Sequence, residues 1–167
     1  MNDNREKTEL AWFQDKLGNA IHIAIFTHLF QKDKAGEPYI YHPLTVMMNI
    51  KNEDKIFEIK CKIVAVLHDV LEDTKDITLT MGLLKESSID SELIKCVELL
   101  TKEKEYNEEE YFKRIKENPI ARTVKIADLT HNMDLSRLKE ITVKDKNRYR
   151  KYKYWKEYLL DDEDGLE

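Results

Sequence analysis

The chain has 167 residues, 41% of them hydrophobic and 37% charged, with a formal net charge of −5. That length suits one compact domain with a real core, and only four glycines and three prolines leave little turn material for a many-stranded sheet, so an all-α fold is expected. The acidic balance argues against a nucleic-acid binder, which needs a basic face, and no apolar run approaches the ~18 residues of a membrane span.

The opening residues Met1 to Glu6 are polar and lack a secretory leader pattern, so a cytoplasmic location is expected. Glu9 to Gln31 reads as one long helix: Leu10, Phe13, Leu17, Ala20, Ile21, Ala24 and His28 recur at three- and four-residue steps. Lys32 to Tyr41 contains Gly36 and Pro38 and breaks that period into a loop. A second helix starts near Pro43, a residue suited to a first turn, and carries Leu44, Val46, Met47 and Ile50. A third runs from about Lys55 to Leu71, and its last turn is apolar on nearly all sides, so it belongs in the core. After a loop at Asp73 to Asp76, short helices are expected over 78–85 and 91–100. Asn107 reads as the cap of a helix whose acids Glu108, Glu109 and Glu110 suit the helix dipole. That helix ends before Asn118-Pro119, and another follows from Pro119 to Met133. The last spans about Val143 to Leu160, with Tyr149, Tyr152, Trp155, Tyr158 and Leu159 on its buried side. It packs on its own core or on a partner, so oligomerisation stays open. The tail Asp161 to Asp164 is acidic and expected to fray. Cys61 and Cys96 fall in apolar helical patterns without CxxC spacing and are expected as buried free thiols.

His68-Asp69 stands inside the apolar run Val66-Leu67-His68-Asp69-Val70-Leu71, followed directly by Glu72 and Asp73. Burying so many ionisable groups is costly unless something pairs with them, and a divalent metal ion is one such partner. His68 and Glu72 are four apart and Asp69 and Glu72 three apart, so all three can point into one cavity near the helix end. Glu72 and Asp73 also read as plain helix-end acids, but negative charge at a C-terminus opposes the dipole. His42, in Tyr39-Ile40-Tyr41-His42-Pro43-Leu44, stands at a loop-to-helix junction and by itself reads as a capping or surface histidine. Further on, Lys125, Asp128, His131 and Asn132 share one helical face. Asp128 follows Ile126-Ala127 in an apolar helix and needs a partner: either Lys125 in a simple surface pair, or a metal ion flanked by substrate-binding groups.

Taken together, these segments carry a resemblance. His42-Pro43, then His68-Asp69, then Asp128 resembles the H…HD…D ligand order of the HD-superfamily metal phosphohydrolases. Residues 36–43, 68–74 and 125–133 resemble the hydrolase domain of the RelA/SpoT alarmone enzymes and of small stand-alone alarmone hydrolases. The resemblance implies a compact multi-helix HD-domain bundle, one domain over 1–167 with a motif core at about 28–132. It implies one divalent ion, in this branch usually manganese, bound by His42, His68, Asp69 and Asp128. Mixed imidazole and carboxylate ligands suit such an ion. Glu72 and Asp73 would orient and deprotonate the attacking water. Asn132 would contact the ribose or a phosphate, Lys34 and Lys125 would hold phosphates, and Tyr39 and Thr45 would line the pocket. The implied reaction removes the 3′-pyrophosphate of guanosine tetra- or pentaphosphate, giving GDP or GTP and pyrophosphate. The length implies a hydrolase without a synthetase domain. The implied partner is a small phosphorylated nucleotide, with no DNA, RNA or membrane.

Two positions depart from the family pattern. The family usually carries arginine where Asp33 stands, and arginine or lysine where Leu129 stands. Both changes remove positive charge from the substrate side, which opens a second substrate class: an adenine alarmone, NADPH or a simpler nucleotide. A nucleotide-binding regulator without turnover is a third reading, and the intact Glu72-Asp73 pair counts against it. His22 and His28 read as structural or exposed, and His131 matches a family position without needing to touch substrate.

Overall fold

The computed structural model describes residues 2–103, 105–138 and 140–161, so positions 162–164 of the acidic tail lie outside the described residues. Among the described residues the chain forms nine α-helices: α1 (Asn2–Thr27), α2 (Tyr41–Asn49), α3 (Lys55–Leu67), α4 (Val70–Asp73), α5 (Ile77–Glu86), α6 (Ser91–Leu100), α7 (Glu108–Lys116), α8 (Pro119–Asn132) and α9 (Val143–Leu160). A 3-10 turn, Leu135–Arg137, joins α8 to α9. The expected all-α architecture is what forms, and no described helix is long and apolar enough to cross a membrane.

Side-chain caps explain most boundaries. Asp54 accepts the Ile56 and Phe57 amides, Asp76 that of Leu79, Asn107 that of Glu110 and Asn118 that of Ala121. Each satisfies amides that a helix start leaves without an intrahelical partner. Thr142 and Asp145 form a reciprocal capping box at the start of α9. Helix α1 begins at Asn2, ahead of the expected Glu9, because its exposed first turns carry no apolar stripe for a periodicity to report.

The largest departure lies in α3. A continuous helix to Leu71 was expected, but the helix stops at Leu67 and restarts as α4 at Val70. The imidazole of His68 explains the break: Nδ1 lies 2.7 Å from the Ala65 carbonyl oxygen, the acceptor that the Asp69 amide would use in an unbroken helix. The Asp69 carbonyl then starts the next turn by accepting the Asp73 amide at 2.9 Å.

The core is built around α3, which packs against α1, α2, α6 and α8. Ile63, Val64, Ala65, Val66 and Leu67 have no exposed surface, as a helix that is apolar all round requires. Cys61 and Cys96 are buried free thiols, and burial pushes the Cys61 thiol up to about 12. Helix α8 packs on α2 and α3 and also contacts α7 and α9, whose Phe112 and Trp155 stack with ring centroids 4.2 Å apart. This layering puts the start of α2, the α3–α4 break and the middle of α8 at one end of the bundle.

Candidate active site

Three separated segments deliver four side chains to one point. His42 comes from the first turn of α2, His68 and Asp69 from the α3–α4 break, and Asp128 from α8. The Nε2 atom of His42 lies 3.3 Å from His68 Nε2, 3.5 Å from Asp69 Oδ2 and 3.3 Å from Asp128 Oδ1. His68 Nε2 lies 3.1 Å from Asp69 Oδ2 and 3.7 Å from Asp128 Oδ1. His42, His68 and Asp128 are buried. Each imidazole is oriented by its other nitrogen: His68 Nδ1 donates to the Ala65 carbonyl, and His42 Nδ1 meets His131 Nδ1 at 2.7 Å. With Nδ1 of His68 donating, Nε2 is the nitrogen that faces the carboxylates and that a bound cation would use.

The outer atoms of the two acids are held as firmly. Tyr39 donates its hydroxyl to Asp69 Oδ2, and burial together with the Asp69 charge pushes the phenol up, so it stays a donor. Lys125 donates to Asp128 Oδ2 at 2.8 Å, and Asn132 donates to Asp128 Oδ1 at 2.5 Å. Burial alone would raise both carboxyls. The His68 imidazole beside Asp69 and the Lys125 ammonium beside Asp128 outweigh it and hold both well below the ordinary carboxylate range. Burial would likewise lower the His68 imidazole, yet Asp69 and Asp128 raise it to about 10. A negative field of that strength, converging from ionised oxygens onto two imidazole nitrogens, is what a divalent cation answers. Ligand-capable atoms of His42, His68 and Asp69 lie within 4.8 Å of one another, and Asp128 Oδ1 reaches both imidazoles. Two nitrogens and two carboxylate oxygens form a donor set suited to a divalent transition metal. The residues present therefore fit the ion that the sequence pattern implied.

This cluster forms part of the wall of a cavity of about 500 Å³, a volume typical of small-ligand sites. Glu72, Lys34, Tyr39, Lys125 and Asn132 line it together with His42, Asp69 and Asp128. Thr45 does not stand among the lining residues; its hydroxyl donates to the Tyr41 carbonyl at 2.7 Å. Asp73 is not in the wall either, because the α3–α4 break turns it toward Gln31, whose amide donates to Asp73 Oδ2 at 2.9 Å. Lys125 and Asp128 do form an ion pair, but a buried one rather than the surface pair weighed from the sequence. The Asn132 amide is committed to Asp128. Asp33 lines the cavity and also organises the loop, its Oδ1 accepting the amides of Ala35 and Glu37 around a positive-φ Gly36. Leu129 touches the cavity but is almost wholly buried. His28, read from the sequence as structural or exposed, is buried against Tyr39.

The cavity also has a cationic side that was not expected. Lys32, Lys102, Arg148 and Lys151 line it along with Tyr106, Phe112 and Tyr152, and Lys102 and Lys151 are paired there with Glu72 and Glu108. One signal was available: Arg148, Lys151 and Tyr152 stand at i, i+3 and i+4 on α9, so two cations share a face with a half-buried aromatic residue. Which cavity that face closes depends on how α9 crosses α8.

The HD domain family profile matches residues 39–133, the stretch that holds all four clustered side chains. The bifunctional (p)ppGpp synthase/hydrolase SpoT of Escherichia coli (strain K12) is 35% identical over 126 residues, covering 71% of this chain and 18% of that protein. The guanosine-3′,5′-bis(diphosphate) 3′-pyrophosphohydrolase MESH1 of Mus musculus is 34% identical over 113 residues, covering 64% of this chain and 61% of that protein. A solved structure described as a metazoan ortholog of SpoT that hydrolyses ppGpp superposes with a TM-score of 0.62 at 25% identity, covering 90% of this chain and 86% of that one. The chain thus spans less than two thirds of the length of either curated relative.

Proposed function

The chain belongs to the HD domain family, and from that premise we propose that it is a metal-dependent phosphohydrolase that removes the 3′-pyrophosphate of guanosine tetra- or pentaphosphate. The observation that carries this reading is the cavity itself: its wall holds His42, Asp69 and Asp128 of the imidazole–carboxylate cluster, and lysines and an arginine line the same cavity. Relatives named for this hydrolysis in E. coli and mouse support the substrate. In this reading the residues described form a single domain acting in the cytoplasm.

His42, His68, Asp69 and Asp128 would hold the ion, which this reading takes to be manganese. When bound, such an ion supplies positive charge that acidifies water and offsets phosphate charge. The protein's own groups do the rest. Tyr39 fixes Asp69, while Lys125 and Asn132 fix both oxygens of Asp128. Glu72, whose Oε2 accepts the Lys102 amide at 3.3 Å, faces the cavity as the carboxylate that takes the proton of the attacking water. Asp73, paired with Glu72 in the sequence reading, is held by Gln31 outside the cavity wall, so in this reading Glu72 carries that role. Lys34, Lys102 and Arg148 would hold the phosphates by charge-assisted hydrogen bonds. Water adds to phosphorus, the bond to the 3′ oxygen breaks, and GDP or GTP leaves with pyrophosphate.

One observation favours a second substrate class on the same chemistry. Asp33 puts a carboxylate in the cavity wall where the family usually has arginine, which changes what the wall offers the base and keeps NADPH, an adenine alarmone or another nucleotide as the second class. The manganese-loaded protein should release pyrophosphate from guanosine tetraphosphate, and Asp69→Ala should lose both metal binding and turnover. Turnover of NADPH or an adenine alarmone with guanosine tetraphosphate untouched would move the assignment to that class. Tight guanosine tetraphosphate binding without product would make the protein a regulator instead.

A further inference from the structure

One buried tyrosine, Tyr111 of α7, connects the side of the cavity that holds Glu72 with the side that holds Asp128. It is almost wholly buried and stands behind the wall rather than in it. Its hydroxyl donates to the Leu100 carbonyl at 2.6 Å. Leu100 is the last residue of α6, where a helix leaves its carbonyls without intrahelical partners. Burial pushes the phenol up to about 12, so it stays a neutral donor.

Two residues on, Lys102 lines the cavity and holds one oxygen of Glu72 twice. Its amide donates to Glu72 Oε2 at 3.3 Å, and its ammonium lies 3.6 Å from the same atom. Glu72 lines the cavity as well, and among the described residues no hydrogen bond or ion pair engages its Oε1. One oxygen is therefore anchored and the other is left for a ligand. The ring of Tyr111 serves both sides. The Lys102 ammonium lies 5.9 Å from its centroid and the Lys125 ammonium 5.7 Å, each within reach of a cation–π contact. Lys125 is the cation that fixes Asp128 Oδ2. The place of Glu72 relative to Asp128 thus depends on a residue that touches neither.

We propose that Tyr111 is a positioning residue for Glu72: its hydroxyl fixes the end of α6, and the segment that follows, through Lys102, keeps the free carboxylate oxygen of Glu72 turned to the attacking water. This rests on the reading of Glu72 as the proton acceptor.

The test is a double-mutant cycle of Tyr111→Phe with Glu72→Gln. It is read in single turnovers of guanosine tetraphosphate with the manganese-loaded chain in excess, beside calorimetric manganese titration and thermal unfolding. Tyr111→Phe keeps the ring between the two lysines and removes only the hydroxyl. In the wild-type background it should slow pyrophosphate release on the order of tenfold, since small displacements of a positioned group are costly, and leave manganese affinity unchanged. In the Glu72→Gln background it should slow release no further, because the group it positions no longer accepts a proton. The fall in melting temperature should be similar in both backgrounds. An equal rate loss in the two backgrounds would make Tyr111 a structural cap of α6 and overturn the proposal. A wild-type rate in Tyr111→Phe, or a loss of manganese affinity, would overturn it too, and all three results leave the hydrolase reading intact. A Glu72→Gln rate equal to wild type would remove Glu72 as proton acceptor and this proposal with it. A wild-type chain that leaves guanosine tetraphosphate intact would instead sink the parent reading.

Discussion

The imidazoles of His42 and His131 lie stacked, with ring centroids 4.9 Å apart and Nδ1 atoms 2.7 Å apart. At that distance one Nδ1 donates and the other accepts, so the two tautomers are coupled. His131 thereby orients the ring whose Nε2 faces Asp69 and Asp128. Replacing it by leucine should weaken divalent-metal affinity by roughly 10- to 100-fold, the usual effect of removing a partner behind a ligand. Calorimetric titration of manganese into the variant checks this, and unchanged affinity would remove His131 from the site.

Lys125 and Asp128 are both buried, and their contact is the strongest fixed point of the cluster. Lys125→Met would remove the ammonium partner of the buried Asp128 charge and leave it beside the Asn132 amide and the two imidazoles. Breaking such a pair from one side costs about 3–5 kcal/mol. Denaturant unfolding should show a loss of that order, partly restored by divalent metal, because the cation takes over the neutralising role.

Arg148 reaches the cavity from α9, braced by Asp145 at 2.6 Å. Arg148→Ala should raise KM for a phosphorylated nucleotide by roughly tenfold or more, the worth of one charged hydrogen bond, and change kcat little. Steady-state kinetics at two ionic strengths reads it, since the wild-type KM should rise with salt more steeply than that of the variant.

Glu58 provides a pH signature away from the site. Hydrogen bonds from Lys62, the Asn52 amide and Lys55 lower its carboxyl from 4.5 to about 2. A depressed carboxyl stabilises the fold above its unfolded value, and that stability drains away as pH falls from about 4.5 through about 2. Thermal unfolding of Glu58→Gln should therefore lie below wild type at neutral pH, with the gap closing across that window. A constant gap would show that the carboxylate charge is not the source.

Much of the fold was legible because the caps and the apolar periodicity are local. Asn107, Asn118 and Pro119 mark their helix boundaries by chemistry that acts within one turn. The α3–α4 break was not legible, because it depends on His68 choosing the Ala65 carbonyl over leaving it to the backbone. That choice separates two neighbours: Glu72 faces the cavity and Asp73 turns to Gln31. Thr45 was placed in the pocket from motif position, yet its hydroxyl bonds back one turn to Tyr41, as threonine does within a helix.

The sequence by itself determined the all-helical class, the family and the residue types at the metal-like cluster, since these rest on composition, periodicity and three short motifs. Only the tertiary structure decided what surrounds that cluster. Lys102, Arg148, Lys151 and Tyr152 reach the cavity from segments that no local rule connects to His68, and His28 and Gln31 meet Asp73 from the residues just after α1. Which side chains share a wall is set by how α1 and α8 pack on α3 and how α9 packs on α8, and packing between distant segments leaves no period in the chain.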